Sequence, residues 1–273
     1  MITIDYEKCV KDFKCVDECP VRLFSFSKDE GKIIVSDDAD KTCIKCGHCA
    51  AVCPEGAVNL SFMDESMFME SEELDLLLNE KNMEMILRSR RSVRSYKNKP
   101  VDKNNLEKLL ALGSAAPTGH NSRSVNWLVI YDKEKIDKMK GMVIDWMKFV
   151  DEKDPATSEL LDFKNVIAGY EAGYDGILRG APHLIIAYAS KFAPTAAIDC
   201  ATALGYLEVA APAFGLGTCW AGFFNIAASM WKPLKEELSL PDGHKQFGTI
   251  MVGHPKHKYK KIIKRESGKI IFA

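Results

Sequence analysis

An α+β chain in two unequal parts is what the sequence predicts, on three observations. Two cysteine runs near the start repeat each other. Beyond residue 83, strand-like and helix-like apolar patterns alternate, which calls for a mixed layer rather than a helix bundle. The charge also reverses between the two regions. At 273 residues and 30.5 kDa there is ample length for a buried core in one large or two modest domains.

In chain order, Ile2 to Asp5 reads as a strand. The first cysteine run follows, with Cys9, Cys15 and Cys19-Pro20, and then a short strand over Lys32 to Ser36. The second run is Cys43, Cys46, Cys49 and Cys53-Pro54, which reads C-x2-C-x2-C-x3-C-P. Aligned on their C-P ends the two runs match position for position, except that Asp12 stands where the second cysteine belongs. Seven of the nine cysteines thus fall in one duplicated pattern within the first 53 residues. Two-residue gaps let one loop supply three thiolates to an iron–sulfur cube, and the fourth cysteine reaches another. A zinc site would ask for two C-x2-C knuckles instead.

Residues 1–65 are therefore read as an iron–sulfur module and 66–82 as a connector, with 83–273 as the larger domain. The connector is rich in Met, Glu and Leu and has neither Pro nor Gly, and residues 72–78 suit a helix. The larger domain opens with a short helix over Met83 to Leu87. Asp102, beyond Pro100, caps a helix carrying Leu106, Leu109, Leu110 and Leu112. Asn126 to Tyr131 predicts a buried strand. Ile136, Met139, Val143, Trp146, Met147 and Val150 recur at helical spacing over 134–150. Residues 151–180 are more polar and aromatic. His183 to Ala189 predicts a buried strand, 196–214 an Ala-rich helix, and Phe247 to Gly253 a last strand.

Residues 1–80 carry 18 acidic and 8 basic side chains, a net of −10. Residues 81–273 carry 20 and 29, a net of +9. An acidic module suits a basic partner surface, and a basic one suits a phosphorylated ligand. Met1 leads into a strand without a secretory pattern, and no apolar stretch approaches a membrane span. Thiolates meant for iron need a reducing compartment, so the cytoplasm is expected. No spaced histidine set suggests a further metal, and no nucleic-acid-binding element is visible.

The duplicated run resembles the bacterial two-cluster ferredoxin family over about residues 1–60. The resemblance implies that Cys43, Cys46, Cys49 and Cys19 hold one complete 4Fe–4S cluster. It implies that Cys9, Cys15 and Cys53 hold another, with Asp12 in the place of the fourth ligand. Three outcomes are open there: ligation of the fourth iron through oxygen, an empty corner as 3Fe–4S, or loss of the cluster. A hard carboxylate matches iron–sulfur less well than a thiolate, so that corner should be labile.

Four further motifs stand in register. They are Arg90-Arg91-Ser92 with Arg94, Ala116 to Ser122, Gly215 to Trp220, and Gly253-His254-Pro255. Together they resemble the nitroreductase family of flavin mononucleotide (FMN) enzymes across about residues 83–265. The resemblance implies an α/β nitroreductase-fold domain with FMN bound at the interface of a homodimer. Arg90, Arg91, Ser92 and Arg94 supply guanidinium and hydroxyl donors suited to the flavin phosphate. A late basic group, Lys258 or Lys261, joins them; relatives often show arginine at the place of Lys261. Asn121 offers amide groups to the polar edge of the ring, within a tight loop of Pro117, Thr118, Gly119 and Ser122. Gly217 and Thr218 bring backbone close to the ring. Cys200 and Cys219 read as core residues, and the sequence assigns no catalytic residue. The Gly215-Leu216-Gly217 run does not follow a strand, so no dedicated nicotinamide domain is expected.

The two resemblances imply an iron–sulfur flavoprotein that passes electrons between clusters and FMN. Its small organic acceptor is a nitroaromatic, quinone or activated alkene, and its donor NAD(P)H or reduced ferredoxin. Residues Trp146 to Tyr174 are expected to cover the substrate face. The rival readings are an electron relay to a partner protein and a reductive dehalogenase-like or flavin-fragmenting enzyme. A redox sensor built on the Asp12 cluster is a third.

Overall fold

A computed structural model describes residues 2–69 and 78–273. The helical connector expected over 72–78 lies, apart from Leu78, outside the described residues. By contacts the chain forms two units, Met1–Asn79 with His120–Ser122, and Glu80–Gly119 with Arg123–Ala273. The observed break at 79/80 coincides with the start of a helix, three residues before the expected boundary.

In the first unit, β1 (Ile2–Ile4) pairs antiparallel with β4 (Val58–Leu60), Ile2 opposite Leu60. A second ribbon joins β2 (Phe24–Ser27) to β3 (Lys32–Val35), Phe24 opposite Val35. Three one-turn helices, α1 (Lys14–Glu18), α2 (Ala39–Thr42) and α3 (His48–Ala51), lie in or beside the cysteine runs. The core is small: Ile2, Leu23, Phe24, Ile33, Val58 and Leu60, with Cys15 among them. A unit of this size buries little apolar surface, so it gains from a bound staple.

The second unit is built on a four-stranded antiparallel sheet in the order β5-β6-β8-β7. The strands are β5 (Asn126–Ile130), β6 (His183–Ser190), β7 (Gly217–Trp220) and β8 (His244–Gly253). β6 and β8 are central, and alternate residues along them face two apolar layers. Leu184, Ile186 and Met251 face one core, with α6 (Lys133–Lys153) and α10 (Gly222–Met230). Ile185, Ala187, Ile250 and Val252 face the other, with α5 (Lys103–Gly113) and α9 (Ala196–Ala210).

The helix caps follow from the sequence. Asp102 accepts from the Asn105 amide at 3.2 Å, and Asp132 from the Lys135 amide at 2.8 Å. α6 buries Ile136, Met139, Val143, Trp146 and Met147, the residues that set its period.

Four expectations change. β5 is half buried rather than buried, because it is a sheet edge. The Ala-rich helix ends at Ala210 and passes into a 3₁₀ turn, Ala211–Phe214, since Pro212 lacks the amide that would continue it. Gly217–Trp220, given no element from the sequence, is a strand. The segment after α6 folds as α7 (Pro155–Leu160) and α8 (Phe163–Glu171), and Phe163 packs edge-on against Trp146 with centroids 5.1 Å apart. The remaining helices are α4 (Glu80–Ser89) and α11 (Lys232–Leu238).

His183 ties the start of β6 to the loop before α5. Its Nε2 accepts from the Val101 amide at 2.9 Å, while Nδ1 faces the Tyr131 carbonyl at 3.1 Å. Burial, with His254 adding to it, holds the imidazole below its ordinary value of 6.5 despite that carbonyl. The unfolded chain therefore binds more protons in this range. The stabilisation is full above the unfolded value and is lost as pH falls through it. His183→Gln should flatten the loss of unfolding free energy between pH 7.5 and 5.5, measured by urea titration; an unchanged slope counts against this reading.

Candidate functional site

The first unit holds two groups of thiols. Cys19, Cys43, Cys46 and Cys49 line one cavity, with Ile2, Leu23 and Phe24 behind them. Cys9, Asp12, Cys15 and Cys53 line another. The last cysteine of each run thus faces the other run's cavity. All nine cysteines are free thiols.

The loops carry the duplication into the backbone. Lys11 and Lys45, at matching places, have φ of 59° and 53°; Phe13 and Gly47 have φ of 66° and 80°. Left-handed backbone is unusual for lysine and phenylalanine, so each loop is held in a specific curl. Asp12 therefore occupies the same place in its loop as Cys46 does in the other. Its carboxylate accepts from the Lys14 amide at 3.2 Å, and the Lys14 ammonium lies 3.1 Å away. Hydrogen bonding to Lys14 holds its carboxyl below the usual range.

The chemistry of this donor set fits an iron–sulfur group. Among the described residues no three His, Cys, Asp or Glu converge tightly enough to hold a single metal ion. A cluster asks for something else, since each thiolate bonds its own iron and the sulfurs stand around a group rather than a point. Burial pushes the Cys49 thiol up to about 11, with Cys46, Cys19 and Cys43 adding to it. Burial raises Cys15 too, with Cys9, Cys53 and Asp12 contributing. Backbone amides of Leu23, Lys45 and Ala57 point at the sulfurs of Cys19, Cys43 and Cys53, at 3.3, 3.3 and 3.2 Å. Such donors favour thiolate, and iron would supply the missing positive charge.

In the second unit, distant motifs converge. The Val93 amide donates to the Thr218 carbonyl at 2.8 Å, and that of Lys97 to the His254 carbonyl at 2.8 Å. The Lys256 amide donates back to Ser95 at 3.0 Å. Residues 92–97 thus lie along the ends of β7 and β8. Two glycines permit it: a Cβ on Gly217 would sit 2.4 Å from Val93 Cγ2, and one on Gly253 would sit 2.9 Å from Tyr96 Cδ1.

A cleft of about 580 Å³ opens there, lined among others by Arg91, Glu208, Gly217, Thr218 and Lys258. Arg91 donates through Nη1 to the carbonyls of Arg88 (2.8 Å) and Arg90 (3.0 Å), while its Nη2 is buried with no partner. A buried guanidinium nitrogen without an acceptor fits an anion such as a flavin phosphate. Lys97, Lys256 and His257 line the same cleft.

The other expected residues are placed differently. Arg90 turns its Nη1 to Glu208 at 3.3 Å, and Ser92 bridges Thr218 through its backbone. Arg94 and Lys261 are exposed and do not line the cleft. The Thr118 hydroxyl accepts from the Arg123 amide at 3.0 Å, and the Gly119 amide donates to Asp199 at 3.1 Å. Pro117 precedes them on the same loop. Asn121 and Ser122 group with the first unit, where the Asn121 amide donates to the carbonyls of Ile44 and Lys45 at 3.0 and 3.1 Å.

Two acids escaped the sequence reading. Asp199 is buried and accepts from Gly119, Thr195 (2.8 Å) and Ser124 (3.5 Å). Glu208 is buried and accepts from Arg90 and, at 3.0 Å, from Trp220 Nε1. Both stand in an otherwise uncharged stretch, and a lone carboxylate in an apolar helix is itself a signal, since buried charge is paired. Cys200 and Cys219 are buried, and burial pushes the Cys200 thiol up to about 12.

The sequence profile of the nitroreductase family matches residues 87–254, and that of the 4Fe–4S dicluster domain matches 8–58. The chain is 26% identical over 169–174-residue stretches to two curated proteins, one being the NAD(P)H FMN reductase of Bacillus subtilis. That alignment covers 62% of this chain and 64% of the reductase, just under two thirds of its length. An uncharacterized ferredoxin of Methanocaldococcus jannaschii is 39% identical over 61 residues, 22% of this chain and 92% of the ferredoxin. The fold is similar to a crystal structure of a nitroreductase with bound FMN from Bacteroides fragilis. The TM-score is 0.56 at 21% identity, over 71% of this chain and all of that one.

Gly217→Ala should cost about 1–3 kcal/mol by overpacking against Val93. The readout is the urea midpoint; a shift near zero would mean that residues 92–97 are not held against β7.

Proposed function

The chain belongs to the nitroreductase family, and from that premise we propose that it passes electrons between ferredoxin-type clusters and FMN to reduce a small organic acceptor. One observation carries the flavin reading: the unpartnered, buried Arg91 Nη2 in a cleft that also gathers Gly217, Thr218 and Lys258. FMN supplies the chemistry, taking up electrons singly or in pairs and delivering them as a hydride equivalent. The protein's residues bind and orient. Arg91 and Lys258 hold the phosphate, while Arg90, Ser92, Arg94 and Lys261, expected beside them, stand outside the lining of the cleft. Gly217 and Thr218 present backbone to the ring, and Pro117, Thr118 and Gly119 form the loop at its polar edge.

The domain assignment is 1–65 for the clusters, 66–82 as connector and 83–273 for the flavin. One 4Fe–4S cluster takes Cys19, Cys43, Cys46 and Cys49. The second takes Cys9, Cys15 and Cys53, with Asp12 at its fourth corner. The protein acts as a cytoplasmic homodimer, with NAD(P)H or reduced ferredoxin as donor and a nitroaromatic, quinone or activated alkene as acceptor. The FMN reductase of Bacillus subtilis supports the nicotinamide alternative by its name, and the fused ferredoxin-type module supports the other.

The deciding experiment adds NADH, NADPH or reduced ferredoxin anaerobically and follows the flavin and cluster bands, then adds a nitroaromatic. Reoxidation of both cofactors by the nitroaromatic is expected. Reduced cofactors that pass electrons only to a partner protein would overturn the reading in favour of an electron relay.

Arg91→Met should weaken FMN binding about 10- to 100-fold, the loss of a charge-assisted donor pair, and leave the cluster absorption unchanged. Equal FMN retention in the variant would contradict the phosphate assignment. Asp12→Cys should lengthen the half-life of the second cluster in air several-fold, because thiolate suits the iron better than carboxylate. Iron release followed with a chelator measures this, and an unchanged rate would place Asp12 away from the cluster.

A further inference from the structure

One peptide group in the first unit is held from both sides. The Lys45 amide donates to Cys43 Sγ at 3.3 Å, and the Asn121 side-chain amide donates to the Ile44 carbonyl at 3.0 Å. That carbonyl and that backbone amide belong to the same peptide bond, whose oxygen and hydrogen point in opposite directions. Asn121 thus stands behind the peptide and Cys43 Sγ in front of it. A second bond, to the Lys45 carbonyl at 3.1 Å, holds the next peptide as well, the one that leads into Cys46. With two acceptors facing its nitrogen the Asn121 amide is fixed, since flipping it would set oxygen against both carbonyls. Asn121 lies 77 residues from Ile44 along the chain, in the segment His120–Ser122 that groups with the cysteine runs.

The backbone explains why this peptide has to be held. Lys45 has φ of 53°, a left-handed conformation that is unfavourable for lysine. Rotating the peptide back would relieve it, but would turn the carbonyl towards Cys43 and the N–H away. Asn121 itself has φ of 51°, which asparagine adopts more readily than most residues. The matching loop of the other cysteine run is placed differently. Lys11 is left-handed too, at 59°, but Val10, the counterpart of Ile44, is 61% exposed, whereas Ile44 is half-buried. The hold exerted by Asn121 therefore belongs to the loop of Cys43 and Cys46.

We propose that Asn121 is a positioning residue for the complete cluster, favouring its reduced state, and not a ligand of the flavin ring. The inference rests on the assignment of Cys19, Cys43, Cys46 and Cys49 to one 4Fe–4S cluster. An N–H donor on a ligand sulfur stabilises the extra electron that the reduced cluster carries, and so raises its potential. By bonding the oxygen of the Ile44–Lys45 peptide, Asn121 polarises the N–H at its other end and keeps it aimed at Cys43 Sγ. It acts through that peptide, as outer hydrogen bonds do on the ligands of a metal.

The test uses the full chain, purified without oxygen and with clusters and flavin in place. A potentiometric titration follows the electron paramagnetic resonance of the reduced clusters, and the signal that Asp12→Cys alters identifies the second cluster. Asn121→Gly removes the donor and leaves a residue that tolerates left-handed backbone. At a fixed potential it should lower the ratio of reduced to oxidised complete cluster about tenfold, a shift of about 59 mV to more negative potential for one electron. Asn121→Asp, of the same shape but with oxygen facing the two carbonyls, should shift it at least as far. The potential of the second cluster and the retention of FMN should stay as in the unaltered protein. The proposal is overturned if the complete cluster keeps its potential in both variants, or if they lose FMN instead. Hydrogen exchange gives a reading that needs no variant. In the unaltered protein the amides of residues 44–46 should exchange about 10-fold more slowly than those of residues 10–12, and equal rates would overturn the proposal too. A preparation without iron would overturn the cluster assignment, and the proposal with it.

Discussion

The contact on which the flavin-binding half depends is the close approach of residues 92–97 to the ends of β7 and β8. Hydrogen bonds from Val93 to Thr218 and from Lys97 to His254 set it, and Gly217 and Gly253 make room for it. Without those glycines the segment would stand off the sheet, and Arg91 would not reach the cleft shared with Thr218 and Lys258. Motifs separated by more than a hundred residues become one site through three backbone bonds. Sequence spacing could order them but not supply that contact.

Charge inside the cleft is arranged by pairing. Glu208 is buried, and Arg90 and the Trp220 indole satisfy it. A buried carboxylate without those partners would cost several kcal/mol, on the order of 3–5 for a broken pair. Because Arg90 is committed to Glu208, Arg91 carries the open donor. Asp199 plays a comparable part for the loop at Thr118 and Gly119, where it gathers one amide and hydroxyls from Thr195 and Ser124. Both acids set where the neighbouring donors point.

Much of this was legible in the sequence because it rests on local rules. The C-x2-C-x2-C-x3-C-P spacing named thiols that do line two cavities, and the cap at Asp102 and the period of α6 follow from position alone. What the sequence hid is tertiary. β7 is four residues long and follows a left-handed turn at Gly215, so it lacks a strand's signature and exists by pairing with β8. The guanidinium cluster looked uniform, yet Arg90, Arg91 and Arg94 differ entirely in partners, because Glu208 lies 118 residues away from Arg90. Trp146, read from its helical spacing, meets Phe163 in the core, where a ring pair adds to simple burial. The matched left-handed turns at Lys11 and Lys45 give Asp12 its place, a feature of backbone rather than composition.

The central claim is that a single chain holds both kinds of cofactor, and the most direct measurement is the iron, sulfide and flavin content of protein purified without oxygen. The account predicts about one FMN and about seven to eight iron atoms per chain, with sulfide to match. Zinc in place of iron, or full iron content with no flavin, would contradict it.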